Sequence, residues 1–267
     1  MTLPMTGQWT ALVLAAGRGP DDPMARAFGV SHKCLIEIGG IPMLARVIAT
    51  LRAHPAVTRV AVSIENEALV RQAIGPLPDD VLVIPSKSSA AASAAAVLES
   101  GALAHPVLLT TADHVLLDAA MLDHFFAQSS VTSADLTVGL ARAETILAAY
   151  PGTRRTFLRF GSDRVSGCNL FGLMTTRAQQ AITFWQAVER DRKRPWRLVA
   201  AFGVTPLIRY GLGRLDLETA FHLGSQRLGL DARPLIMPFA EAAIDVDKPD
   251  DKALCEIILQ SRTAMAG

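Results

Sequence analysis

Three groups of residues in this chain have types and spacings suited to handling phosphates. The run LAAGRG at 14–19 closes an apolar stretch and places Gly17 and Gly19 on either side of Arg18. Glycine lets the backbone turn sharply and bring its N–H groups up to phosphate oxygens. The spacing is neither G-x-G-x-x-G nor G-x-x-x-x-G-K-[ST], which disfavours a dinucleotide-binding dehydrogenase or a P-loop NTPase. The run LLTTADHVLL at 108–117 ends a second apolar stretch on Asp113. A carboxylate there either faces a ligand or caps the helix that follows. The third group is a basic section, 150–214, with twelve Lys and Arg against three Asp and Glu, which leaves the remainder of the chain at −8. Its clusters, Arg154, Arg155 and Arg159, then Lys193 and Arg194, suit an anionic ligand, because guanidinium forks match phosphate oxygens. A solvated basic face is the plainer alternative. Residues 196–215 also mix Trp, Phe, Leu, Ile and Tyr with arginine, as a segment lying on a membrane surface does.

The surrounding pattern predicts the elements that hold these groups. Short β-branched runs over 10–15, 57–64, 81–84 and 106–110 alternate with helical patterns over 42–54, from 65, over 90–100 and over 118–128. Such alternation predicts a mostly parallel sheet covered on both faces, with ligands beyond the carboxyl ends of its strands. The loops after Ala15 and Thr110 are therefore the expected site. The second half reads as strands over 135–141 and 157–171 around a turn at 161–163. Helices follow over 176–190, around 196–203 and over 217–228, then a strand over 233–237 and a helix over 249–261. The expected organisation is one domain, 1–267, with a first half (1–130), a basic section (131–240) and a closing segment (241–267).

Composition narrows the class. A net charge of +1 argues against a protein built to coat nucleic acid. Half of the 267 residues are apolar, enough for a sizeable core. The three cysteines are too far apart for a zinc site or a disulfide framework. The N-terminus lacks the pattern of a signal peptide, and no apolar run approaches the roughly 18 residues that span a bilayer. A cytoplasmic protein is the expectation.

The run SHKCLIEIGGIPML at 31–44 adds a lysine, a Gly-Gly pair and a Pro-Met helix start. Together with LAAGRG it resembles the MobA-like branch of the nucleotidyltransferases, which have a Rossmann-like GT-A α/β fold. The segment EAAIDVDKPDD at 241–251 is similar to the one that opens that family's last helix. The resemblance implies that Ala15, Ala16, Gly17 and Gly19 cradle a nucleoside triphosphate. It implies that Lys33 and Arg18 neutralise charge during attack at the α-phosphate, and that Asp113 and Asp247 hold magnesium, with Asp245 assisting. Ser88, Ser89 and Ser93, in a small-residue segment like the one that closes over the nucleobase, are equally suited to starting a helix. Asn169, in a G-x-N turn, is a candidate for contact with the acceptor, or a buried turn residue. His114, beside Asp113, is a candidate for the metal shell.

The resemblance implies transfer of NMP from an NTP to a small phosphorylated acceptor, with release of pyrophosphate. CTP is the first expectation for the donor and GTP the second. The sequence departs from the family pattern at PDDP, 20–23, and at His32, where the family usually has proline. A GT-A glycosyltransferase using a nucleotide sugar, or a non-catalytic relative that senses nucleotides, are the competing readings.

Overall fold

The computed structural model describes residues 8–17, 19, 21–153, 155–191 and 204–266. Its frame is one large twisted sheet. Strand β1 (Trp9–Leu14) is buried at every position, the pattern of a strand covered on both faces. It pairs in parallel with β4 (Val57–Ile64) on one side and β6 (Val107–Thr111) on the other. Beyond β4 lies β5 (Val81–Pro85), also parallel. Beyond β6 the direction reverses: β9 (Asp163–Leu173) runs antiparallel to both β6 and β7 (Leu136–Arg142), and β10 (Ala232–Met237) pairs in parallel with β7. A short strand, β8 (Leu158–Phe160), turns back onto β9 around Gly161. The order is thus β5-β4-β1-β6-β9-β7-β10, mostly parallel with one inserted antiparallel strand.

This order fixes where a ligand can sit. From β1 the chain builds outward to β4 and β5, then returns to β6 on β1's other side. The carboxyl ends of β1 and β6 therefore flank a crevice at the switch point of the sheet. The expected loops after Ala15 and Thr110 are the two that leave it.

Helices cover both faces. On one, α2 (Met43–Ala53) and α5 (Ala119–Ser130) pack on a core that includes Trp9, Val13, Val62, Leu108 and Phe125. Trp9 stacks on Phe126 at 4.4 Å. On the other, α4 (Ala90–Glu99) and α7 (Gln179–Asp191) enclose Leu12, Leu14, Ala94, Leu109 and Ile182. Polar side chains mark the helix starts, each accepting orphan backbone N–H groups: Asn66 before α3 (Glu67–Ile74), Ser89 before α4 and Asp118 before α5.

Several elements go beyond the sequence expectation. Gly39 and Gly40, both at positive φ, close a tight hairpin between β2 (Glu37–Ile38) and β3 (Ile41–Pro42). Asp22 and Pro23 of the PDDP departure start a five-residue helix, α1 (Pro23–Ala27), which Asp22 caps. A second short helix, α6 (Ala143–Ala149), follows β7, and α8 (Val204–Gly211) comes before α9 (Leu217–Leu228), which is the helix expected over 217–228. The helix expected around 196–203 lies outside the described residues. The chain closes with α10 (Pro249–Ala266).

Candidate active site

The expected lysine and aspartates meet at the switch point. Lys33 starts a single 3₁₀ turn, Lys33–Leu35, held by the His32 ring, which accepts from the Cys34 N–H. From there its ammonium donates to Asp113 Oδ2 at 2.7 Å and to Asp247 Oδ1 at 2.8 Å. These residues lie 80 and 214 positions away in sequence, so only the fold unites them. Burial works against the charge on Lys33, but the two carboxylates more than offset it and its pKa is raised. Thr111, the last residue of β6, donates its hydroxyl to Asp113 Oδ1 at 2.6 Å and fixes that carboxylate from behind.

Asp247 is fixed differently. The Asp251 carboxylate accepts from the backbone N–H groups of Asp247 and Lys248, at 3.1 and 2.9 Å, and so caps the start of α10. Asp251 is thus structural, while Asp247 Oδ1 reaches the lysine. Asp245 turns inward: Arg155 donates to its carboxylate and also to Asp251, and Asn169 donates to its Oδ2 at 3.1 Å. Burial raises the Asp245 pKa, Arg155 opposes that shift, and the nearby charges of Asp113 and Asp247 reinforce it. Asn169 has a φ of +50°, at an irregularity where β9 pairs with β7. Asparagine tolerates the left-handed region better than most residues, and the irregularity turns its amide toward Asp245.

The donor set fits a hard divalent cation. Asp113 and Asp247 present carboxylate oxygens to one and the same cationic nitrogen, at 2.7 and 2.8 Å. Magnesium commonly takes one or two carboxylates, with water and substrate phosphates completing its shell. Among the described residues no group of three or more His, Cys, Asp or Glu forms a closed metal cage. His114 does not belong to this donor set. Its ring is fully buried, faces Thr110 Oγ1 at 3.4 Å and is pushed down to about 4 by burial.

These groups stand at the edge of a cleft of about 1310 Å³. Ala15, Ala16, Gly17, Ser88, Ser93 and Asn169 line it together with the lysine and both aspartates. The serine segment divides its labour. Ser89 caps α4, and Ser93 is buried with its hydroxyl donating to the Ser89 carbonyl and accepting from the Lys87 N–H, so Ser93 shapes the loop. Ser88 is exposed at the rim. Gly19 adopts a φ of +89°, which favours glycine. Arg155 is committed to the aspartates described above instead of facing the cleft, and Arg159 lies exposed on the β8–β9 hairpin. Arg18, Arg154, Lys193 and Arg194 lie outside the described residues.

The structure also brings in residues that the sequence did not single out. Glu65, at the end of β4, accepts from the Gly17 N–H at 2.7 Å and pairs with His32 Nε2 at 3.2 Å. His32 lies directly under the glycine loop: a Cβ on Gly17 would come within 2.5 Å of its Nε2. This accounts for the glycine at 17. Trp185, Gln186 and Glu189 on α7 line the far wall, with the Glu189 carboxylate 3.4 Å from the Ala91 N–H. The signal for Thr111 was its place two residues before Asp113. Glu65 and Trp185 gave none, because their roles depend on packing between elements distant in sequence.

The comparisons with known proteins place the chain in a family. The chain is 30% identical over 267 aligned positions to the 2-C-methyl-D-erythritol 4-phosphate cytidylyltransferase of Xanthomonas campestris pv. campestris strain B100, covering 97% of this chain and 87% of that protein. A structure from Thermus thermophilus, described as a hypothetical transferase, superposes with a TM-score of 0.76 at 28% identity, over 92% of this chain and 99% of that one. The 4-diphosphocytidyl-2C-methyl-D-erythritol synthase of Anaerococcus prevotii shares the fold at 11% identity, with a TM-score of 0.60 over 95% of this chain and 99% of that one. The model of the MobA-like NTP transferase domain matches residues 11–187, which contain the glycine loop, the lysine and Asp113, and the chain belongs to that family.

Proposed function

We propose that this nucleotidyltransferase moves CMP from CTP to a small phosphorylated acceptor of the sugar-phosphate or polyol-phosphate class. One observation carries the reading: Lys33 lies between Asp113 and Asp247 at the edge of a cleft whose wall includes the glycine loop. The cytidylyltransferase relative favours cytosine and a phosphorylated polyol over the alternatives. An oxygen of the acceptor phosphate attacks the α-phosphorus, the bond to the β-phosphate oxygen breaks, and pyrophosphate leaves with that electron pair. The acceptor phosphate is already ionised near neutral pH, so no general base is needed. Catalysis then rests on positioning and on charge neutralisation.

In this scheme Lys33 stabilises charge developing around the α-phosphate, and the backbone of 15–19 positions the triphosphate. Asp113 and Asp247 would hold magnesium, which when bound supplies positive charge to the phosphates. Asp113 and Asp247 also hold Lys33 charged and oriented before any ligand arrives.

The test is pyrophosphate release with each of CTP, GTP, UTP and ATP, with and without magnesium, over a panel of sugar and polyol phosphates. Magnesium-dependent release with CTP and one phosphorylated acceptor is the expected result. Release with GTP alone would replace the base assignment. Transfer from a nucleotide sugar without pyrophosphate would replace the reaction.

A further inference from the structure

Seven large apolar side chains are exposed among the described residues, and four of them lie on β8, α8 and the turn after α8, two elements that meet. Leu158 (46% exposed) lies on β8, and Ile208 (56%), Tyr210 (38%) and Leu212 (64%) lie on α8 and the turn after it. The two elements touch: the rings of Phe160 and Tyr210 pack at 5.6 Å, and Gly161 lies against Asp216 at the start of α9. Isolated exposed leucines are ordinary, but four on neighbouring elements are a patch that water disfavours.

The charge around the patch has one dominant sign. Arg159 and Arg164, opposite each other on β8 and β9, are exposed, and so are Arg209 and Arg214 beside the apolar residues of α8. Three carboxylates lie nearby, and of these Glu218 is exposed. Asp163 is held by Arg142 at 2.5 Å, and Asp216 caps α9 through the Thr219 N–H at 2.8 Å. Apolar side chains ringed by exposed arginines form a surface complementary to anionic head groups over a hydrocarbon layer.

The patch is also joined to the cleft. Val138 lines the cleft and packs in the same cluster as Leu140 and Phe160, and Phe160 carries the contact to Tyr210. No helix of the described residues is long and apolar enough to cross a membrane. The chemistry therefore matches lying on a surface, not spanning it.

We propose that the face formed by β8, the β8–β9 turn and the end of α8 docks this enzyme reversibly on an anionic lipid bilayer. Leu158, Ile208, Tyr210 and Leu212 enter the interface while Arg159, Arg164, Arg209 and Arg214 pair with lipid phosphates. This face would bring the cleft close to acceptors drawn from, or destined for, lipid head groups. The docking itself does not depend on which acceptor is used.

Sedimentation of the full chain with vesicles tests this. The probes are phosphatidylcholine alone and phosphatidylcholine with about a third phosphatidylglycerol, at low and high salt. Binding to the anionic vesicles, weakened severalfold by salt, is expected. Ile208→Ser with Leu212→Ser, and separately Arg209→Gln with Arg214→Gln, should each weaken it roughly tenfold. Both double variants should keep the wild-type melting temperature and magnesium-dependent pyrophosphate release in solution. Absence of sedimentation with anionic vesicles overturns the proposal. Equal binding by the variants, or a concentration-dependent dimer that the Ile208 and Leu212 changes dissolve, would also overturn it, the latter assigning the patch to a second copy.

Discussion

The Glu65 carboxylate accepts a hydrogen bond from the Gly17 N–H at 2.7 Å, so an acidic side chain occupies a backbone donor in the loop expected to cradle the triphosphate. The contact shapes the loop and also places negative charge beside the expected phosphate path. The two effects separate in mutants. Glu65→Gln keeps an oxygen that can accept from Gly17 and removes the charge. It should lower the KM for the nucleotide by up to about fivefold, the scale of one partly exposed charge contact. Glu65→Ala removes the support as well and should raise KM. Steady-state kinetics at saturating acceptor decide, and identical KM changes in both variants would show that Glu65 does not have this double role.

Lys33 has the opposite character, a cation held ready by two carboxylates. Lys33→Ala should lower kcat by about 10²–10³, the scale of losing one donor that stabilises transition-state charge. Binding of nucleotide should change far less, because the glycine loop is left intact. Pyrophosphate release gives the rate and thermal shift gives the binding. Activity within tenfold of wild type would remove Lys33 from the chemistry.

Asp113 and Asp247 are expected to answer to metal. In Asp113→Asn or Asp247→Asn, the magnesium concentration for half-maximal activity should rise by at least the ~10–100-fold that loss of even an indirect metal partner produces. Lys33 also loses one of its two partners in each variant, so a rate loss alone does not discriminate. The metal titration does, and an unchanged midpoint would argue that the carboxylate serves only the lysine.

The sequence carried the frame of this site further than its details. The glycine loop, Lys33, Asp113 and Asp247 were legible because each occurs in a local run with a recognisable order, and the parallel strands because their apolar residues are continuous. Arg155 was read as facing a ligand, yet it lies against Asp245 and Asp251. Its partner is 90 positions away, and a basic cluster looks the same in sequence whether it meets solvent, substrate or an internal carboxylate. The helices α1 and α6 were missed because five and seven residues are too few for a helical period to emerge. Ser93 is small and lines the cleft, but its hydroxyl, in the first turns of α4, is taken up by the Ser89 carbonyl and the Lys87 N–H just before the helix.

Arg155 joins the basic section to the segment that carries Asp247, and its side chain is only 9% exposed. Removing one member of a buried pair leaves the other charge uncompensated, which costs about 3–5 kcal/mol. Arg155→Met should therefore destabilise strongly, while Arg155→Met with Asp245→Asn should recover much of the loss. Urea unfolding of the two single variants and the double variant gives the coupling energy directly. Additive losses would show that the pair does not act as a unit.

Asp135 ties the far side of the sheet together and should make that region sensitive to acid. It accepts from the Thr175 hydroxyl at 2.6 Å and from the Asp231 N–H at 2.9 Å, with Arg177 nearby. Burial favours its neutral form, but these donors outweigh burial and hold its pKa below the ordinary carboxylate value. A depressed carboxyl pKa means that the unfolded chain takes up the proton first as pH falls. Its stabilising contribution is complete above the unfolded value of about 4 and is lost as pH drops through the folded one. Asp135→Asn should lower the melting temperature by a few degrees near neutral pH, as expected for loss of ~1–2 kcal/mol in a protein of this size. The gap from wild type should then close below about pH 4. Melting curves from pH 3 to 7 measure it, and a gap that stays constant across that range would show that the charge of Asp135 contributes nothing to stability.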